Sequence, residues 1–218
     1  MLNQVILSSH YFPCIAYFAH LVKYPDIIID IGENFLKQSY RNRCIIYTSN
    51  GPLALSIPVI KKNNTPMKDI LIDVKEDWKT KHWRAISSAY NSSPFFEFYC
   101  DELKEVLFKE YSSLVNLNKA LLEHICNELD MTNNVITSET YINIKDSELD
   151  LRSTLNPKKT FKGSDIYPRY IQIFEAKYGF QSNLSILDLL FHEGPESLNY
   201  LTKPVSYTHL TLPTILRV

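Results

Sequence analysis

Four short stretches put side chains capable of chemistry at close spacing. Ser8–Ser9–His10–Tyr11–Phe12–Pro13 follows an apolar run and precedes a helical pattern. A turn there sits at the carboxyl end of a strand, where open α/β sheets bind ligands, and at a helix start, whose first N–H groups attract anions. His10 at such a turn can polarise a phosphate or exchange a proton, and His10 and Tyr11 can equally pack and cap. Tyr40–Arg41–Asn42–Arg43 is expected to be extended, so Arg41 and Arg43 share one face and can grip a carboxylate or phosphate. The alternative is a salt-bridge pair, with Asp30 and Glu33 as nearby partners.

Trp78–Lys79–Thr80–Lys81–His82–Trp83–Arg84 is the densest patch. Helical spacing stacks Trp78 on His82 and Thr80 on Arg84, with Tyr90 two turns beyond His82. Lys81 and Arg84 favour a neutral His82 imidazole, which suits a general base and suits equally a core-edge histidine covering a tryptophan. Asp188 and His192 stand at i, i+4 with Glu193 adjacent, a weak metal signal because no third ligand is in evidence. An Asp that caps or pairs inside the fold explains the same spacing. Lys158, Lys159, Lys162 and Arg169 form a basic cluster suited to a polyphosphate or to a solvated loop.

Other chemistries are excluded. The five glycines of the 218 residues form neither GxGxxG nor GxxxxGK[ST], so a Rossmann dehydrogenase, a P-loop NTPase and a protein kinase are not expected. There is no GxSxG elbow. The four cysteines, Cys14, Cys44, Cys100 and Cys126, make no CxxC pair, so neither a structural zinc nor a disulfide framework is expected. A net charge of -1 gives no basic excess for a nucleic-acid backbone, and no partner of that kind is expected. With 45% apolar and 22% charged residues the chain is globular in composition. No basic leader precedes an apolar stretch and no run is long enough to span a bilayer, so a cytoplasmic protein without membrane insertion is expected.

These residues are positioned by elements readable from periodicity. A strand at Gln4–Leu7, a helix through Ile15, Phe18, Ala19 and Val22 stopped by Pro25, and a strand at Asp26–Ile31 make a βαβ unit. Cys44–Tyr47 and Leu53–Val59 flank Asn50–Gly51 as a hairpin, and Ile70–Val74 is a further strand. Helical stripes follow at Trp78, His82, Ile86 and Ala89, then from Ser93–Pro94 through Glu110, then at Leu114, Leu117, Leu121 and Ile125. Val135–Thr137 reads as a strand, Ser147–Leu155 as a short polar helix or turn, Tyr170–Tyr178 as a helix, and Leu184–Phe191 as a buried helix ending near Gly194–Pro195. The expectation is one α/β domain over residues 1–204, with a mixed sheet and a mostly helical C-terminal half, in which the Ser8–Pro13 turn, the Tyr40–Arg43 segment and the His82 helix meet in one cleft.

Six segments together resemble the WbqC family of bacterial proteins: LSSHYFPCIAYF (Leu7–Phe18), YRNRCII (Tyr40–Ile46), NGPLALSIPV (Asn50–Val59), HWRAISSAYNSSPFFEFY (His82–Tyr99), LDLRSTLNPK (Leu149–Lys158) and NLSILDLLFHEGP (Asn183–Pro195). The resemblance implies a cytoplasmic enzyme associated with O-antigen and other surface polysaccharides, a transferase acting on an activated sugar, acyl or aminoacyl donor. A non-catalytic binding or scaffold protein of such a complex is the alternative. The sequence departs from the family at His10 and at His192, where other residues are more usual. His82, Arg41, Asn42, Arg43 and Asp188 fit it. The expected site is therefore His82 as catalyst, with Tyr11, Tyr40, Arg41, Asn42, Arg43, Trp83, Arg84, Tyr90 and Asp188 binding substrate, no metal, and no cofactor that the sequence names. Val205–Thr214 (VSYTHLTLPT) resembles the translated read-through of a transposon sequencing adapter, so residues 205–218 are expected to be a non-native tail and His209 no site residue.

Overall fold

The centre of the molecule is β1 (Gln4–Ser8), whose residues beyond Gln4 are all buried. A strand covered on both faces reads as an unbroken apolar run, and QVILS does. A computed structural model describes residues 4–132, 134–144, 148–157 and 168–203. From β1 the helix α1 (Ile15–Lys23) returns the chain to β2 (Asp26–Asp30), parallel to β1 with Val5 opposite Ile27 and Leu7 opposite Ile29. Then come the hairpin strands β3 (Arg43–Thr48) and β4 (Gly51–Ser56), the two-residue strands β5 (Val59–Ile60) and β6 (Leu71–Ile72), and three helices, α2 (Trp78–Tyr90), α3 (Phe96–Phe108) and α4 (Leu114–Glu128). After them β7 (Asn134–Ser138) pairs parallel with β2, and β8 (Glu148–Asp150) pairs parallel with β1. The chain closes with α5 (Glu175–Tyr178), α6 (Ile186–Glu193) and α7 (Ser197–Thr202).

The result is a single α/β domain in which the described residues form a four-stranded parallel sheet in the order β7-β2-β1-β8. The antiparallel strands do not join it: β3–β4 and β5–β6 are separate pairs, so the sheet is parallel where a mixed one was expected. The expected helical stripes are buried as read, Trp78, His82, Ile86 and Ala89 on α2, and Leu114, Leu117, Leu121 and Ile125 on α4. Each such leucine or isoleucine contributes on the order of 1.5–3 kcal/mol.

Other expectations are corrected. Glu148–Asp150 is an edge strand where a polar helix or turn was expected, because backbone pairing with β1 outweighs its local preference; residues beyond it do turn, with Thr154 and Leu155 N–H donating to the Leu151 carbonyl. Of Tyr170–Tyr178 only Glu175–Tyr178 is helical. Tyr170 and Gln172 point inward and Ile171 is 83% exposed, the alternation of an extended segment. The hairpin turns one residue early: Thr48 pairs with Gly51, whose φ of 95° suits glycine. Leu53–Val59 divides at Ile57–Pro58, and Ile70–Val74 contracts to Leu71–Ile72. Helix α3 starts at Phe96, three residues after Ser93. Residues 158–167, with Lys158, Lys159 and Lys162, and the adapter-like residues 205–218 lie outside the described residues. No helix among the described residues is long and apolar enough to cross a membrane.

Residues 138–142 lie across the end of β2. The Ile31 N–H donates to the Ser138 carbonyl, and a Cβ on Gly32 would stand 2.3 Å from the Tyr141 nitrogen. Backbone cannot yield as a side-chain tip can, so Gly32→Ala is expected to cost about 3 kcal/mol and to lower Tm by roughly 6–12 °C. Thermal unfolding followed by circular dichroism checks this, and an unchanged Tm contradicts the close crossing.

Candidate functional site

Past the carboxyl ends of β1, β2 and β8 lie two buried ion pairs. Arg41 donates from Nε to Glu33 Oε1 at 2.9 Å and from Nη2 to Glu33 Oε2 at 2.6 Å. The same Nη2 reaches Ser8 Oγ at 2.9 Å. Arg152 donates from Nη1 to Asp30, from Nη2 to Asp150 Oδ2 at 2.8 Å and from Nε to Asp150 Oδ1 at 3.0 Å. Asp30 also accepts the backbone N–H groups of Gly32, Glu33 and Ile142. Burial pushes the Asp150 carboxyl up, but the hydrogen bonds and charge of Arg152 outweigh it and hold the group below its usual range. The Tyr141 ring covers the Arg152 guanidinium at 4.5 Å.

This corrects the expected arginine pair. Arg41 is 2% exposed and bound to Glu33, the partner that the salt-bridge alternative named. Arg43 lies on the hairpin and donates from Nε to Ser56 Oγ at 2.9 Å. The two guanidinium groups have different partners and no common grip. Asn42 Nδ2 donates to the Ile57 carbonyl at 2.7 Å, tying the segment to the end of β4.

Near the Arg41–Glu33 pair is a cavity of about 230 Å³ between the end of β1, one face of β2 and β7, and helix α4. Ser9, His10, Tyr17, Asn118 and Cys126 line it among apolar walls. His10 is 3% exposed, and among the described residues neither ring nitrogen has a hydrogen-bond partner. Burial first, then the charge of Arg41, holds its pKa well below the ordinary imidazole value, so the ring is neutral. Asn118 Nδ2 donates to the Arg41 carbonyl at 2.9 Å and to Ser9 Oγ at 3.2 Å, and its Oδ1 has no partner among the described residues. Burial pushes the Cys126 thiol up to about 12, with Glu123 adding to the effect, so it lines the cavity as a thiol and not as a nucleophile. The turn that brings His10 here is bent at Phe12, whose φ of 39° is rare for an aromatic residue. The Tyr11 N–H bond to the Tyr40 carbonyl and the Ser185 Oγ bond to the Phe12 carbonyl hold it.

The three expected segments do meet, through packing. Tyr11 Oη and His82 Nδ1 are 2.9 Å apart, Trp78 stands edge-on to His82, and Tyr40 packs against His10. Burial lowers the His82 pKa to about 4; a backbone hydrogen bond with Ser56 opposes this and the charge of Lys81 adds to it. His82 therefore bridges α2 to the turn and does not line the cavity. Trp83 stacks near Phe96, and Arg84 is exposed.

Asp188 gathers a second knot. Its Oδ1 accepts from Tyr90 Oη at 3.0 Å, and its Oδ2 accepts from Tyr170 Oη and, at 2.7 Å, from Gln172 Nε2. Tyr90 Oη also accepts the Tyr47 N–H. His192 engages the Asp188 carbonyl through Nδ1 at 2.6 Å and the Ile173 N–H through Nε2. Both nitrogens are occupied, so Asp188 and His192 pin the 170–173 segment and do not form a metal pair. A convergence that the sequence analysis missed is Glu102, His124 and Glu128, whose ligand atoms lie within 4.8 Å of one another across α3 and α4. The i, i+4 spacing of His124 and Glu128 was the legible part; Glu102 comes from another helix. Arg152, Asp30 and Glu33 were also missed as one network, because they are far apart in sequence.

Residues 8–159 match the family model described as the WbqC-like protein family. An uncharacterized protein of Mycobacterium tuberculosis, Rv1507c, is 28% identical, the match covering 92% of this chain and 98% of that one. No solved structure matches.

Buried histidines give a pH dependence, to which His10 adds in the same direction. Burial lowers His82 and His20 to about 4 from the ordinary 6.5, with Lys23 adding to the effect at His20. Between those values the unfolded chain binds the extra protons, so stability is full above about pH 6.5 and falls as pH drops toward 4. At pH 5 each histidine is expected to remove up to about 2 kcal/mol relative to pH 7. Urea unfolding at the two pH values checks it, and equal midpoints contradict the buried neutral rings.

Proposed function

The chain belongs to the WbqC-like protein family, and from that premise we propose that it is a group-transfer enzyme of bacterial surface-glycan assembly, acting in the cytoplasm on an activated sugar, acyl or aminoacyl donor. The observation that carries the reading is the cavity that extends from the carboxyl end of β1 over β2 and β7, with a buried imidazole free at both nitrogens among the described residues. Buried polar groups in a folded protein normally find partners, and past the carboxyl end of a parallel strand a bound ligand can be that partner. His10 and Ser9 touch the bound group. His82 is a positioning residue: its contact with Tyr11 fixes the turn that presents His10. Because the resemblance departs at position 10, His10 selects the ligand of this chain and is not the chemistry common to the family. An anionic donor is held elsewhere than on Arg41, whose charge Glu33 balances.

A second reading, a binding or scaffold protein of a glycan-assembly complex, is favoured by exposed apolar side chains, Phe98 at 78% and Ile171 at 83%. Thermal shift against nucleotide sugars, acyl-CoA and aminoacyl donors separates the two. One donor class at about 100 times its Kd is expected to add about 2.7 kcal/mol, raising Tm by roughly 5–10 °C. Flat curves with every donor class overturn the enzyme reading and favour the scaffold.

A further inference from the structure

Resting on the reading of the cavity as the ligand site, we propose that it receives an uncharged group bearing a hydroxyl or carboxamide, and that His10 with Asn118 sets this preference. A neutral imidazole offers one donor and one acceptor. An anion uses only the donor and leaves the other nitrogen facing negative charge; a cation uses only the acceptor. A hydroxyl or amide carries both a donor and an acceptor, so either nitrogen can be served by it. The Asn118 amide adds a second acceptor. Its orientation is fixed, because the Arg41 carbonyl accepts from Nδ2 and can be served only by the NH₂ side. Oδ1 is thus left as the unpartnered atom, and an oxygen acceptor repels a phosphate or carboxylate. Ser9 Oγ already accepts from Asn118, so its proton is available to donate. Two donors and two acceptors therefore come from side chains at least nine-tenths buried.

The charged groups near the cavity do not alter this. Arg41 is committed to Glu33, and its Nη2 also serves Ser8. Lys119 and Glu123 on the lining are both exposed and face each other at 3.8 Å, one cancelling the other. Ile29, Ile31, Val115 and Leu122 supply apolar wall for a methyl group or a sugar ring face. At about 230 Å³ the cavity is smaller than the roughly 300–1,000 Å³ of whole-ligand pockets, so it holds one arm or one ring of a larger molecule.

Long-range ¹H–¹⁵N spectra of histidine-labelled full chain, titrated at pH 7, test this. The probes are N-acetylglucosamine, methyl glucoside and acetamide, against inorganic phosphate and acetate. The resonance lost in His10→Gln assigns the ring, with His10→Phe as a second variant in case one fails to fold. At least one neutral probe is expected to shift the His10 nitrogens with an apparent Kd at least tenfold below that of phosphate or acetate, and both variants to lose that preference. Shifts caused equally or more strongly by phosphate or acetate overturn the neutral-group proposal and leave the cavity as the ligand site. No shift with any probe overturns both.

Discussion

A guanidinium placed beneath the surface requires an opposite charge, and much of this structure follows from where Arg41 finds one. The chain leaves β2, passes Glu33 and returns with Arg41 beside the end of β1, so the two side chains meet as a bidentate pair. Leaving either charge alone in such a place costs several kcal/mol. Ser8 at the end of β1 and the carbonyl of Arg152 beyond β8 also accept from Nη2, which draws both strand ends to the same point. Arg152 repeats the arrangement with Asp30 and Asp150. The crevice between β1 and β8, the place where strand order reverses in this sheet, is thereby filled with paired charge.

That filling decides what the neighbouring cavity can do. The Arg41 backbone carbonyl orients Asn118, burial and then the Arg41 charge keep His10 neutral, and the Nε and Nη2 of Arg41 are occupied by Glu33 and Ser8. The cavity is consequently lined by uncharged hydrogen-bonding groups at Ser9, His10 and Asn118, although Arg41 lies close by. On the far side of the hairpin, Asp188 does corresponding work for Tyr90, Tyr170 and Gln172, fixing the 170–173 segment against α6.

Elements set by local sequence pattern were legible in the sequence. The α2 and α4 stripes and the β1–α1–β2 unit needed only periodicity and the position of Pro25. Glu148–Asp150 and Tyr170–Gln172 were not legible, because backbone pairing to a strand some 140 residues away, and hydrogen bonds to Asp188, decide their conformation. The site was legible in part. The Ser8–Pro13 turn, Tyr40–Arg43 and the His82 helix were found and do come together. Their roles were not, since Arg41 and His82 carry the residue types of catalysis but are occupied by Glu33 and Tyr11. Vacant hydrogen-bonding capacity, which singles out His10, is a property of the folded surroundings and has no sequence signal.

The central claim is that Arg41 is committed to Glu33 and is not held for a ligand. A double-mutant cycle of Arg41→Leu and Glu33→Leu, read by urea unfolding without ligand, tests it most directly. Each single substitution strands a buried charge and is expected to cost about 3–5 kcal/mol, with the double variant more stable than either single one. Strictly additive losses, or an Arg41→Leu chain as stable as the parent, would contradict the account.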